Sequence, residues 1–536
     1  MVQGKAVDVG LVMDRVRSVL FQLPDTRRGK NWHYSMADAG LSAFGVFFMQ
    51  CPSFLEYQRR MQQTQGRNNA QSLFGVHAIP CDNQIRQLLD AVPPQTLEPL
   101  YEELLQCLMG EGVIEHYRVL EGKVLLALDG VTYFSSPALH CPQCTQRSHA
   151  GRTVYSHSAV TPVLVQPGHS AGSKVVGLAP EFITPQDGHD KQDCELNAAK
   201  RWLVRHGQRW SQYGAVVLGD DLYCHQPFCQ ALREQGLDFV LVCKPDSHPI
   251  IGEWLQMLER TGDVYTLRLR RSHGLKVYLD CYRWAHALPL RDGEDALSVD
   301  WCELTTTDEA GKTLYRNSFA SSLPVTADNV REIVAAGRTR WKIENENNNT
   351  LKTKGYRFEH NFGHGQQHLS ATLASMIMLA YLLHTLLDWL DERFARLREL
   401  VACRQRLFDD IRALSTYLHF PTWSAMIEFM ISYCGSIKLH SIHDINYSLS
   451  FCQATDIWAG KIITRIKEPC CFVFRFLLFY QGSDIRPATD ISFTVCNIGN
   501  FIRFHMSMEI IGINNGDIPG ADPKWQRQQN TRCNHF

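Results

Sequence analysis

The segment that decides the fold is Lys123-Val124-Leu125-Leu126-Ala127-Leu128-Asp129-Gly130, an apolar run that ends at an acidic residue and a glycine. Residues 215–221 repeat the pattern as Ala-Val-Val-Leu-Gly-Asp-Asp, and residues 239–243 form a third apolar run. Short unbroken apolar runs are typical of strands that are buried on both faces of a sheet. Helical stretches at 194–206 and 227–235 separate the runs, which predicts an α/β core with a sheet covered by helices.

The sequence around these runs divides into further segments by its periodicity. Residues 1–120 have the three-and-four apolar spacing of amphipathic helices, and residues 246–323 alternate as strands do. Residues 391–431 are again helical, whereas 432–536 have no regular period and predict an irregular tail of uncertain origin. The sequence therefore predicts an N-terminal helical region at 1–120, an α/β core at 121–245 and 324–390, a β-rich insertion at 246–323, and a helical extension before the tail.

The composition is that of a globular protein. The chain has 536 residues, of which 45% are hydrophobic and 20% charged, so large-scale disorder and a fibrous repeat are excluded. Lys and Arg number 54 against 55 Asp and Glu, a net charge of -1, and any nucleic-acid surface must therefore be local.

Neither the cysteines nor the apolar segments indicate an extracellular or membrane protein. Eighteen cysteines are too few for a disulfide scaffold in a chain of this length, and the N-terminus lacks the apolar core of a secretory signal. The apolar run 371–387 has the shortest length that could span a membrane but contains polar residues, which favours a buried helix. We expect a cytoplasmic protein with reduced thiols and no membrane partner.

Two acidic residues follow predicted strands, Asp129 and Asp220. Ligands of α/β sheets bind beyond the carboxyl ends of strands, and carboxylate oxygens are ligands that Mg²⁺ and Mn²⁺ prefer. If the two strands are neighbours, the two carboxylates predict a metal site. The alternative is that each Asp simply begins a turn.

A charged segment at residues 338–352 supplies the third part of the predicted site. If it is a helix, Arg340, Glu344, Asn348 and Lys352 recur every four residues and lie on one face. Arg and Lys can bind a phosphate there, and Glu344 can complete a metal site with the two Asp residues. The alternative is an exposed helix with salt bridges between successive turns.

These residues resemble the catalytic residues of DDE-type bacterial insertion-sequence transposases, in the branch with a β-rich insertion before the catalytic Glu. The similarity lies in Asp129, in Asp220 within Gly-Asp-x-x-Tyr (ending at Tyr223), and in Glu344 within Arg-Trp-x-Ile-Glu. The intervals of 90 and 123 residues match that layout, and the resemblance covers about residues 120–390. It implies an RNase H-like catalytic core.

The chain departs twice from the family signature Tyr-x-x-Arg-x-x-x-Glu-x-x-x-x-x-x-Lys. Gly337 stands where the family has Tyr, and Lys352 comes one residue late. Two other acidic residues compete for the catalytic positions: Glu346 lies on the opposite side of a helix from Glu344, and Asp221 lacks the Asp-x-x-Tyr spacing.

The resemblance also implies an activity, cofactors and partners. Asp129, Asp220 and Glu344 would hold two Mg²⁺ or Mn²⁺ ions and both cut and rejoin double-stranded DNA, at terminal inverted repeats and at a target, in a homodimer. Arg340 and Lys352 would contact the DNA. Independently of the resemblance, the amphipathic run 82–92, with Asp82 as the N-cap, could be a recognition helix, and the alternative is a small helical bundle with solvated charges.

Two aromatic residues of these motifs have two interpretations. Trp341 or Tyr223 could stack on a base near the cleaved end, or either could pack in the core.

The alternatives for the whole chain are a DNA-binding protein that has lost catalysis and a metal-dependent nuclease without strand transfer.

The sequence also contains a candidate zinc site, since Cys141-Pro-Gln-Cys144 is a Cys-x-x-Cys knuckle. Two more ligands would complete a structural zinc site; Cys194 is one candidate, and the others are His149, His157 and His189. A redox dithiol or simple packing are the alternatives. For the later group His360, His364 and His368, two neighbouring glycines favour a structural turn over a metal site.

Overall fold

The computed structural model describes residues 7–29, 32–149, 151–168, 175–185, 193–274, 276–401, 403–439, 457–465, 471–480, 489–498 and 501–510. The chain forms two compact units, Met1–Ile437 and Lys438–Phe536.

The N-terminal region is helical, as the sequence predicted. Its helices are α1 (Val9–Leu20), α2 (Met36–Phe48), α3 (Phe54–Met61), α4 (Thr64–Asn69), α5 (Asp82–Leu89) and α6 (Glu98–Gly110). Every residue of α2 is buried, because its apolar side chains cover the whole helix surface. The N-cap residue of α5 is Cys81, so the assignment of that position to Asp82 was wrong.

In the described part of the chain up to residue 353, fourteen strands and five helices follow. The strands are β1 (Arg118–Val119), β2 (Lys123–Ala127), β3 (Gly130–Ser136), β4 (Thr145–His149), β5 (Arg152–Val160), β6 (Val163–Val165), β7 (Val176–Gly177), β8 (Glu181–Ile183), β9 (Ala215–Gly219), β10 (Asp238–Val242), β11 (Tyr265–His273), β12 (Lys276–Pro289), β13 (Ser298–Asp308) and β14 (Thr313–Ser321). The helices are α7 (Glu195–Ser211), α8 (Gln226–Glu234), α9 (Pro249–Thr261), α10 (Val330–Arg338) and α11 (Asn349–Thr353).

The central sheet has the order β11-β12-β13-β14-β10-β9-β2-β6-β7, with β1 beside β2. The neighbours β2–β9 and β9–β10 are parallel, and the other pairs are antiparallel. The three apolar runs of the sequence are thus β2, β9 and β10, buried side by side at the centre of the sheet. This mixed α/β architecture confirms the coarse fold prediction.

The β-rich segment at 246–323 differs from the expected separate insertion. Its strands β11–β14 extend the central sheet through antiparallel pairing of β14 with β10, and the segment begins with helix α9. A second sheet, which the sequence did not predict, has the order β3-β5-β4 with β8 beside β5.

The helices after the sheet pack against the N-terminal ones. They are α12 (Leu369–Leu390), α13 (Glu392–Leu400), α14 (Arg404–Tyr417) and α15 (Trp423–Leu439). The hydroxyl of Tyr101 donates to the carbonyl of Ser375 (2.9 Å), and the amide of Val9 donates to the carboxylate of Asp391 (3.1 Å). The segments expected as separate regions at 1–120 and 391–431 therefore share one helical layer.

Helix α12 contains the apolar run that raised the question of a membrane span. It is long and apolar enough to cross a membrane, yet 89% of its most apolar window is buried inside the protein. The structure thus confirms the buried helix that the sequence favoured.

The second unit contains β15 (Ile457–Arg465), β16 (Cys471–Tyr480), β17 (Thr489–Ile498) and β18 (Phe501–Ile510). They form an antiparallel meander in that order. This part of the tail is therefore regular, in contrast to the irregular tail that the sequence predicted.

Candidate active site

Asp129 and Asp220 lie at the same edge of the central sheet, as the sequence predicted. Asp129 follows β2 and Asp220 follows β9, and these strands are parallel neighbours with Ala127 paired to Leu218. The amide of Leu128 extends the pairing by donating to the carbonyl of Leu218 (2.9 Å). Both carboxylates are half-buried.

The charges around Asp129 identify the residues that share this site. Burial and then the negative charge of Glu195 raise the pKa of Asp129 to about 7. The guanidinium of Arg340 opposes this rise, and the carboxylates of Glu344 and Asp220 add to it. The third predicted carboxylate and its arginine therefore act electrostatically on the same group as the two strand-end residues.

The segment that carries Glu344 is docked on Asp129 through polar contacts. Asn348, which is buried, donates through Nδ2 to Oδ2 of Asp129 (3.4 Å) and accepts from the hydroxyl of Thr161 (3.3 Å). Glu344 itself is half-exposed and pairs with Arg340 at 2.6 Å.

This segment is not the regular α-helix that the four-residue spacing predicted. Residues Ile343–Asn348 form a π-helical turn, which precedes α11. A π-helical turn has i→i+5 hydrogen bonds and so takes up one residue more than an α-helical turn. The turn contains Glu344 and ends before Lys352, and between these two residues this chain has one residue more than the family signature. Lys352 pairs with Glu359 at 2.8 Å.

The packing of α10 explains the glycine in place of the family tyrosine. A Cβ atom on Gly337 would lie 2.6 Å from Cδ1 of Phe319, a buried residue of β14. The ring of Phe319 thus occupies the space that a side chain at position 337 would need.

The two competing acidic residues have other partners. Asp221 accepts from the amide of Lys244 (2.9 Å), and its Oδ1 lies 3.3 Å from Nε2 of His248. Glu346 lies 3.8 Å from Nζ of the buried Lys342.

Glu195 is a residue of the site that sequence reasoning missed. Its Oε1 accepts from the amide of Gly130 (2.9 Å), next to Asp129, and from the hydroxyl of Tyr223 (2.7 Å). It is the first residue of α7, and its charge at the start of a predicted helix was the available signal.

The two aromatic candidates differ in exposure. Tyr223 is completely buried and bonded to Glu195, so the structure supports the core-packing interpretation and not base stacking. Trp341 is partly exposed and lies two residues before the start of the π-helical turn.

The oxygens of Asp129, Asp220 and Glu344 do not all lie within 4.8 Å of one another. Among the described residues, two groups of His, Cys, Asp or Glu have ligand atoms that all lie within 4.8 Å of one another, and both consist of Cys and His. One group is Cys224, Cys243 and His248. The carboxylates fit Mg²⁺ or Mn²⁺ by their chemistry.

The other group is Cys141, Cys144, His157 and His364, here named the knuckle cluster. Cys194 is not in it but is an exposed residue at the N-cap of α7, so its assignment to the knuckle was wrong. His189 and the side chain of His149 lie outside the described part of the chain.

Comparison with known proteins gives one family match. Residues 181–383 match the model of the family described as Transposase DDE domain. The match includes Glu195, Asp220, Arg340 and Glu344 and begins after Asp129. No curated protein matches the chain.

Proposed function

We propose that Asp129, Asp220 and Glu344 are the catalytic carboxylates of a DDE-type insertion-sequence transposase, the family whose domain model matches residues 181–383. The reaction is metal-dependent phosphodiester cleavage at the ends of the element, followed by strand transfer into a target, as in cut-and-paste transposition.

The observation that carries the proposal is the set of charges acting on Asp129. Glu344 and Asp220 both raise its pKa, although they come from distant parts of the sequence. Like charges held together in a partly buried site are repelled unless a cation binds between them. Such an arrangement supports a role in which the cation is part of the function.

The carboxylate oxygens suit hard divalent cations, and we propose Mg²⁺ or Mn²⁺ as the cofactor. When bound, two ions would activate the attacking water or 3'-hydroxyl and stabilise the leaving oxygen. Asn348 and Thr161 orient Asp129 for this role. Glu344 would leave Arg340 to complete the site, and the freed guanidinium would then bind a DNA phosphate bidentately.

The sheet topology supports an RNase H-like core. The strands β7-β6-β2-β9-β10 follow one another in the central sheet, first antiparallel and then parallel. Asp129 and Asp220 follow the adjacent strands β2 and β9, at the centre of this order.

We further propose that the protein binds double-stranded DNA at terminal inverted repeats and at the target, and that it acts in the cytoplasm as a homodimer. Lys352 and Trp341 lie near the proposed catalytic residues in the chain, beside the π-helical turn, and would contact the DNA there. In α5, Arg86 is held internally by the carbonyl of Phe362 (2.7 Å), which leaves the exposed Asn83 and Gln87 for recognition.

The test is cleavage and strand transfer of a labelled duplex that carries the element's own ends, with Mg²⁺ or Mn²⁺. We expect Glu344→Gln to lower the cleavage rate by on the order of 10³-fold or more, as the loss of a catalytic group does. Glu346→Gln is the matched control, two residues away, and should cleave at nearly the wild-type rate.

The outcomes separate the alternatives. DNA binding without cleavage in the wild type would instead indicate a DNA-binding protein that has lost catalysis. Cleavage without joined products would indicate a nuclease. Equal activity of Glu344→Gln and wild type would remove Glu344 from the site.

A further inference from the structure

We propose that the knuckle cluster is a structural zinc site with four protein ligands, Cys141, Cys144, His157 and His364. This inference concerns a site separate from the carboxylates and does not depend on the proposed function.

The distances between the ligand atoms are those of a tetrahedral zinc site. The two sulfurs lie 3.9 Å apart, and Nε2 of His157 lies 3.5 Å from Sγ of Cys141 and 3.4 Å from Sγ of Cys144. Nε2 of His364 lies 3.4 Å from Sγ of Cys144. The usual zinc–ligand bond lengths in a tetrahedron place two sulfurs about 3.8 Å apart and a sulfur and a nitrogen about 3.6 Å apart.

The two cysteines have the local geometry of a metal knuckle. Cys141 and Cys144 are joined by a tight turn in which the amide of Cys144 donates to the carbonyl of Cys141 (3.1 Å). The amide of Cys141 points at the sulfur of Cys144 (3.4 Å), and such a contact stabilises a thiolate. The sulfurs are much too far apart for a disulfide, whose bond is about 2.0 Å long.

The histidines come from two separate elements and are held by aromatic rings. His157 lies in β5, with the ring of Tyr133 stacked on it at 5.9 Å. His364 lies in the loop before α12, and the ring of Phe134 packs on it at 4.6 Å. Both aromatic residues belong to β3, so one strand positions both imidazoles.

The loop that carries His364 is itself fixed at both ends. The carboxylate of Asp90 accepts from the amides of Gln366, Gln367 and Leu369 at 3.0–3.2 Å. Arg86 donates to the carbonyl of Phe362 (2.7 Å). The fourth ligand is therefore placed by the fold and does not rely on a metal to bring it in.

The ligand types select the metal. Two thiolates and two imidazoles suit zinc, whereas Mg²⁺ and Mn²⁺ prefer oxygen. Four protein ligands leave no open position for a water or substrate, which is the pattern of a structural site. A cavity of about 620 Å³, lined in part by Cys141, His157 and His364, provides a path by which the ion can enter.

The zinc site would connect two parts of the core that are far apart in the sequence. The sheet β3-β5-β4 begins directly after Asp129, and the loop with His364 follows the segment that carries Glu344. Zinc would thus link the segments that follow the first and third proposed carboxylates.

The experiment is the zinc content of the full-length protein, purified without chelator and measured by inductively coupled plasma mass spectrometry. We expect one zinc per chain in the wild type and in the control Cys194→Ser, whose thiol lies outside the cluster. Cys144→Ser and His364→Ala should each lose most of the zinc.

A second measurement applies if these variants do not fold. Cobalt added to wild-type protein that has been stripped of metal should give the visible d–d bands of a tetrahedral site and a sulfur-to-cobalt charge-transfer band. Wild-type protein without stoichiometric zinc and without these bands would overturn the proposal. So would full zinc retention in both folded cluster variants. Neither readout uses DNA cleavage, so a failure here is distinct from a failure of the transposase proposal.

Discussion

The knuckle cluster and the carboxylate site are both sets of potential metal ligands, but only the first is assembled at ligand distance. Thiols and imidazoles can be neutral and approach one another without repulsion, whereas the carboxylates around Asp129 raise its pKa because they repel. The comparison teaches that a fold can bring neutral ligands together in advance. Carboxylates at a shared site repel one another, and a cation bound between them offsets that charge.

The largest expected effect concerns whether Asp220 or its neighbour Asp221 belongs to the carboxylate site. Asp220→Asn should lower the rate of DNA cleavage by on the order of 10³-fold or more. Asp221→Asn is the matched control, because Asp221 is held by the amide of Lys244 and by His248. It should stay within about tenfold of wild type.

Thermal unfolding of both variants shows that each is folded at the assay temperature. The reverse ranking of the two cleavage rates would assign the catalytic role to Asp221.

A smaller effect, on the affinity for Mn²⁺, is expected when the negative charge of Glu195 is removed. Glu195→Gln keeps the shape of the side chain but removes the negative charge that raises the pKa of Asp129. Affinity for Mn²⁺ should fall by about 10–100-fold, as it does when an outer-shell partner is lost. The rate of cleavage at limiting Mn²⁺ measures this.

Glu195→Gln should also shift the pH dependence of the cleavage rate. Protonation of Asp129 competes with cation binding, so at limiting Mn²⁺ cleavage by the wild type should rise as the pH increases through about 7. Removing the charge of Glu195 lowers the pKa of Asp129, and the rise should move to lower pH. Glu253→Gln, an exposed change on α9, is the control, and an unmoved rise in Glu195→Gln would contradict the assignment.

The smallest effect concerns the buried ring beside the carboxylate site. Tyr223→Phe removes the hydroxyl that donates to Glu195 and should lower the free energy of unfolding by about 1 kcal/mol. Urea denaturation measures this change. Affinity for a DNA end should stay the same, since the ring is fully buried; weaker DNA binding with unchanged stability would return Tyr223 to the role of a stacking residue.

The sequence predicted those parts of the site that depend on local pattern. Asp129 and Asp220 follow short apolar runs that are typical of buried strands, and Glu344 lies in a motif. Glu195 was missed, and His364 was interpreted as part of a structural turn, because the contacts of these residues with Gly130 and Cys144 are tertiary. The π-helical turn at Ile343–Asn348 also escaped, since a period of four residues does not reveal one extra residue in a turn.

The strand meander of the second unit was missed for a different reason. Strand β16 (Cys471–Tyr480) is apolar at both alternating sets of positions and so does not show the period of a half-buried strand. Strand β18 (Phe501–Ile510) does alternate, with polar residues at 503, 505, 507 and 509, so the sequence did carry a strand signal there. The extension of the central sheet by β11–β14 was not predictable either, because strand order depends on pairing between distant segments.

Helix α12 has a consequence for how the chain must be synthesised. It is apolar on all sides, and its covering residues come both from earlier helices and from later ones. His384, for example, packs between Phe48 of α2 and Phe408 of α14. A nascent chain that has released α12 but not α14 therefore exposes part of a long apolar helix to the cytosol. Ribosomes that stop within this interval should yield an aggregation-prone product, so chaperone dependence should be greatest late in translation.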